Sequence, residues 1–111
     1  MVDDAPADIV LVTLAFDVGA IDSPAAQRLV AVLSNYVVMS RQHPGCRNID
    51  LCTSVTTLGR FVIIEKWDSL ASQRAHFDSP EMVEMAQACV GLLLHPPQID
   101  LLEGLSAHDL N

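Results

Sequence analysis

Residues 46–68 read CRNIDLCTSVTTLGRFVIIEKWD, two β-type runs separated by a short turn. In the first run, 46–55, Ile49, Leu51 and Val55 fall on one parity and Asn48, Asp50 and Cys52 on the other. That two-residue period is the signature of a strand with one buried face. TTLG at 56–59 is the turn, and RFVIIEKWD at 60–68 is a second strand, so the stretch predicts a hairpin.

Working outward, IVLVTLAFDV at 9–18 is rich in β-branched residues and apolar at both parities, which predicts a strand covered on both faces. Ser23-Pro24 supplies an N-cap and a first-turn proline, and Leu29, Leu33, Tyr36 and Val37 recur at helical spacing up to Arg41. His43-Pro44-Gly45 ends that helix. On the other side, Ser69 caps a short helix through Phe77, and Ser79-Pro80-Glu81 starts a second one, expected to run to Leu94 after a kink. His95-Pro96-Pro97 closes it, and QIDLLEGL at 98–105 is the last strand. Strand, helix, strand, strand, helix, strand is the split βαβ order. The expected fold is therefore α+β: a ferredoxin-like βαββαβ domain over 9–105 with a four-stranded antiparallel sheet and its helices on one face. An acidic tail at 1–8 and a polar tail at 106–111 flank it.

The chain has 111 residues, which suits one domain, and its formal net charge is −8. Such a chain lacks the positive field that binds a phosphate backbone, so neither nucleic acid nor an anionic membrane is an expected partner. Half the residues are apolar, yet no unbroken apolar stretch nears the ~20 residues of a membrane span. The surplus has to be buried, inside the fold or against another subunit. Val62 and Ile64 lie opposite Phe61, Ile63 and Trp67, so this strand, like 9–18, is apolar on both faces. Each buried Val or Ile contributes ~1.5–3 kcal/mol, a large share of a domain's ~5–15 kcal/mol margin. A homodimer with sheets packed face to face is the expected cover. The acidic start carries no secretory signature, and the expected compartment is the cytoplasm. Cys46 and Cys52 lie ~20 Å apart along one extended strand and cannot bridge. His43 and Cys46 straddle a turn with no second ligand pair, and no GxGxxG is present, so the sequence predicts neither metal nor cofactor.

Trp67 shares a face with Phe61, Ile63 and Glu65. A carboxylate within an apolar strand must reach solvent or find donors, and the backbone of the following helix is the expected source. Tyr36 lies on the inward stripe of the first helix. His76, with an ordinary pKa of ~6.5, is suited to general-base work or to a packing seam. His43, His95 and His108 read as punctuation at helix ends or as solvent-facing residues.

The longer segment HPGCRNIDLCTSVTTLGRFVIIEKWDSLASQRAHFDSP, 43–80, resembles the antibiotic biosynthesis monooxygenase family. The resemblance is carried by Pro44-Gly45 before the second strand, Glu65-Lys66-Trp67 ending the third, Ser69 leading the next helix, and His76 nine residues after the tryptophan. It implies a dimeric α+β barrel that oxygenates electron-rich aromatics without flavin, haem or metal. On that basis the chain is expected to be a cofactor-independent monooxygenase of a quinol, polyphenol or related aromatic. His76 is then the catalytic base, and Trp67, Glu65 and Tyr36 form the substrate site. The rate is expected to rise with pH through the ordinary imidazole range. The alternative is a non-catalytic dimeric barrel that binds a small apolar ligand. The haem-degrading branch is not matched, since its asparagine, tryptophan and histidine positions hold Leu14, His76 and Met85. Of the polyketide-anthrone set only Trp67 is present, with Ile63 and Gln73 at the other two positions.

Overall fold

The computed structural model of this chain describes residues 9–107. The acidic tail at 1–8 and residues 108–111, including His108, lie outside the described residues. Among those described, the order is β1 (Val10–Asp17), α1 (Pro24–Ser40), β2 (Cys46–Thr53), β3 (Arg60–Trp67), α2 (Leu70–Phe77), α3 (Pro80–Ala88) and β4 (Gln98–Glu103). The strands form one antiparallel sheet in the order β2-β3-β1-β4. The ferredoxin-like arrangement holds, with the second helical region divided between α2 and α3.

The strand parities set what is buried. Val10, Val12, Leu14 and Phe16 of β1 and Phe61, Ile63, Glu65 and Trp67 of β3 are buried, whereas Leu11, Thr13 and Ala15 are half-covered. The buried set meets Leu29, Leu33, Tyr36 and Val37 of α1 and Met82 and Met85 of α3. Register places Glu65 opposite Val12 on one side and Ile49 on the other. The carboxylate thus sits mid-sheet between two apolar strands, with no strand edge to carry it to water.

Three serines start the three helices. Ser23, Ser69 and Ser79 each accept a hydrogen bond from a first-turn backbone N–H, those of Ala26, Ser72 and Met82. The two helices expected on either side of Ser79 are both present as α2 and α3, each with its own serine cap. The extension to Leu94 does not form: α3 stops at Ala88, and Gly91 adopts φ +82°. Leu92 and Leu93 instead pack on the core from a loop, while Leu94 is exposed and its N–H donates to the Asp17 carbonyl at 2.9 Å. Apolar residues served a covering loop there, which periodicity does not distinguish from a helix.

The hairpin also ends earlier than expected. β2 stops at Thr53, Ser54 Oγ accepts from the N–H groups of Thr56 and Thr57, and Val55 is 94% exposed in the turn. Gly59 closes that turn at φ +79°, and a Cβ there would collide with the Gly19 carbonyl.

Two apolar surfaces remain open. Ile64 of β3 and Leu102 of β4 face away from the helices and are over two-fifths exposed. On the helix side, Ile99 and Leu101 of β4 are also exposed.

Candidate functional site

The inward stripe of α1 continues from Tyr36 to Ser40, one turn further, and both side chains point at β3. From β3 come Glu65 and Trp67, and from the last turn of α2 comes His76. The structure brings all four expected site residues together. Tyr36 donates to Glu65 Oε2 at 2.6 Å, and the Trp67 indole N–H donates to Oε1 at 2.9 Å. His76 packs its ring on Trp67 at 4.6 Å between centroids and lies 5.5 Å from the Tyr36 ring. The expected backbone donors for Glu65 are therefore replaced by two side chains. Trp67 reaches the carboxylate from two residues along the same strand face, and Tyr36 from the helix above.

A fifth member, Ser40, escaped the sequence reading, although it extends the buried stripe of α1 by i,i+4 spacing. Its Oγ lies 2.8 Å from His76 Nε2, and it also hydrogen-bonds the Tyr36 phenol. Because the Tyr36 O–H is committed to Glu65, the Ser40 hydroxyl donates to the Tyr36 oxygen and accepts from His76 Nε2–H. Hydrogen bonds then run in one direction, from His76 through Ser40 and Tyr36 to Glu65. Nδ1 is left as the lone-pair nitrogen of His76. It stands 3.9 Å from Glu65 Oε1, beyond hydrogen-bond reach.

Burial sets the charge states. His76 is 2% exposed, and removal from water, helped by the neighbouring His43, pushes its pKa down to about 4. The ring is neutral at ordinary pH, and the pair with Glu65 is not a salt bridge. Burial pushes the Glu65 carboxyl up, against the two donors that hold it down. Burial and the Glu65 charge push the Tyr36 phenol far above its usual range, so it stays a donor.

Two histidines read as punctuation are structural participants. His43 bonds Glu81 at 2.9 Å and sets its ring edge-on against His76 at 4.9 Å. Nε2 of His95 lies 2.8 Å from Asp17 Oδ2. Among the described residues, no group of three or more His, Cys, Asp or Glu side chains is placed to hold a metal ion. No helix of the described residues is long and apolar enough to cross a membrane.

A cavity of about 370 Å³ opens between β1, β4 and α3, lined by Leu14, Phe16, Met85, Cys89, His95 and Ile99 among others. Its size suits one small aromatic ligand. The four expected site residues do not line it. They lie over the Val10–Val12 end of β1, whereas the cavity lies over Leu14 and Phe16, ~7 Å further along the strand. Tyr36 instead lines a groove of about 350 Å³ between α1 and α3, with Glu81 and Met85. Met85 borders both spaces.

The arrangement of sheet, split helix and buried Glu-Trp-His cluster defines a small ferredoxin-like α+β protein with an apolar cavity beside α3. Residues 19–88 match the family model for antibiotic biosynthesis monooxygenase, and the chain belongs to that family. Among solved structures it is similar to Rv0793 from Mycobacterium tuberculosis, at 26% identity and a TM-score of 0.80 over 91% of this chain and 99% of that one. It is also similar in fold to a variant of SnoaB, a cofactor-independent oxygenase from Streptomyces nogalater. That match has 19% identity and a TM-score of 0.75, over 91% of this chain and 97% of the other. No curated protein matches the chain.

Proposed function

We propose that this protein is a cofactor-independent monooxygenase of a quinol, polyphenol or related aromatic, bound in the cavity over Leu14 and Phe16. The observation that carries the reading is this apolar cavity of single-ligand size in a member of the antibiotic biosynthesis monooxygenase family, placed along β1 from a buried, neutral histidine. The name of the SnoaB relative supports the same class of reaction.

In the proposed reaction, the phenolic proton passes from the cavity to His76, whose ring lies further along β1 beside Glu65, and the Glu65 carboxylate stabilises the imidazolium that forms. The electron-rich anion passes one electron to dioxygen, and the two radicals combine to form a carbon–oxygen bond. The O–O bond of that peroxide then breaks as the ring carbon loses its hydrogen. A carbonyl remains and the distal oxygen leaves as water. A quinol thereby becomes a hydroxyquinone; the four electrons that reduce dioxygen all come from the substrate, so no external reductant enters. The protein contributes a dry cavity, a base and a fixed geometry. We further propose that two copies pack sheet against sheet, which buries Ile64 and Leu102.

The test is oxygen consumption with a panel of quinols under ¹⁸O₂. One labelled atom is expected in the product and one in water. The fact that His76 does not line the cavity favours a second reading, a dimer that binds an apolar ligand without turning it over. Saturable binding of quinols with no oxygen uptake above the uncatalysed rate would establish that reading instead.

A further inference from the structure

Among the described residues, His95 is the single one lining the cavity whose side chain carries a nitrogen or oxygen atom; the rest of the described wall is aliphatic, aromatic, sulfur-bearing, glycine or proline. Its surroundings are built. Nε2 lies 2.8 Å from Asp17 Oδ2, and Nδ1 lies 3.0 Å from the Pro96 carbonyl oxygen. Asp17 is itself gripped by Arg60, with Nε on Oδ1 at 2.8 Å and Nη2 on Oδ2 at 3.1 Å. That guanidinium holds the Asp17 carboxyl below the usual range, so the carboxylate only accepts. A carbonyl oxygen likewise only accepts. Both ring nitrogens of His95 thus face oxygen acceptors, so the ring is oriented as a donor.

The same loop ties the ring to the cavity wall. The Leu94 N–H bonds the Asp17 carbonyl, which fixes the chain one residue before His95 to the end of β1. The Nδ1 contact is to the adjacent residue and half open to solvent, so a ligand oxygen can replace the Pro96 carbonyl without disturbing the Asp17 pair.

We propose that His95 is the specificity-determining residue of the cavity, selecting aromatics that carry an acidic oxygen at this end. The inference rests on the reading that the cavity seats the substrate. It narrows the substrate class to phenols or enols that bind as the anion or become one. It fits a quinol in particular, whose second oxygen is opposite the first and so points along β1 towards the His76 end.

The probes are 4-nitrophenol and nitrobenzene, which share a ring and differ by the acidic oxygen. Binding is measured by calorimetry at pH 8 on the full chain. Wild-type protein is expected to bind 4-nitrophenol at least tenfold more tightly than nitrobenzene. His95→Leu is expected to abolish the preference while keeping nitrobenzene affinity within about twofold. His95→Gln, which keeps a donor but not the ring that Asp17 orients, is expected to retain only part of it. Equal binding of the two probes by wild type, or an unchanged preference in His95→Leu, overturns the selectivity but leaves the cavity as the ligand site. Binding of neither probe overturns both.

Discussion

Tyr36 Oη stands 2.6 Å from Glu65 Oε2, a bond between residues 29 apart in sequence that ties α1 to the middle of the sheet. It supplies one of the two side-chain donors that let a carboxylate sit between Val12 and Ile49. Tyr36→Phe keeps the ring and removes the donor, leaving Glu65 Oε2 buried without it. A loss of about 1–3 kcal/mol is expected from the desolvated acceptor, read as a lower urea midpoint at unchanged slope. An unchanged midpoint would mean that water replaces the phenol.

The buried imidazole of His76 makes stability depend on pH. Its folded pKa of about 4 lies below the ~6.5 of an unfolded chain. As pH falls, the unfolded state takes up the proton first, so stability contributed at neutral pH is lost between about 6.5 and 4. The full effect is about 3 kcal/mol. Glu65, shifted upward, acts in the opposite sense. The His76 contribution is therefore read as the difference between wild type and His76→Gln across that range, and it should shrink towards low pH.

The same shift changes the expected rate profile. A base already neutral at pH 5 gives a kcat/KM that is flat to pH 8 and falls only near pH 4, not one that rises through the ordinary imidazole range. His76→Gln keeps a donor for Ser40 and lacks the basic nitrogen. Turnover is expected to drop ~10²–10⁴-fold with the fold intact. Full activity in that variant would remove His76 from the chemistry.

Gly59→Ala combines φ +79° with a clash against the Gly19 backbone. A cost of about 2 kcal/mol or more is expected, seen as a fall in Tm of about 8 °C or more.

Sheet-to-sheet pairing predicts sedimentation at about twice the 12.0 kDa chain mass. Ile64→Lys places a charge on that face and is expected to shift the species towards monomer. Monomeric wild-type protein at micromolar concentration would leave the outer face without its proposed cover.

Much of the fold was legible because the parities of β1 and β3 and the three serine caps act locally. Glu65, Trp67, Tyr36 and His76 were likewise legible as a group. Their mutual bonds were not, since they depend on how α1 lies over β3. The identity of the Glu65 donors follows from register, which places apolar strands on both sides of it. His43 and His95 were misread for a related reason: a histidine beside a proline looks like a terminator, and only tertiary contacts supply Glu81 and Asp17. Leu92–Leu94 and Val55 continued a pattern past the point where Gly91 and the Ser54 turn had already ended the element.

Among the described residues, Met85 is the one bordering both the cavity and the α1–α3 groove. An unbranched thioether with three rotatable bonds thus forms part of the wall of both spaces. Ligand size in this scaffold is consequently open to change through a single codon. A smaller residue at 85 is expected to widen both spaces, and a bulkier one to shorten the cavity, with no change to the residues of the Glu65 cluster. A protein built this way can acquire new substrates by drift at one position without passing through an unfolded ancestor.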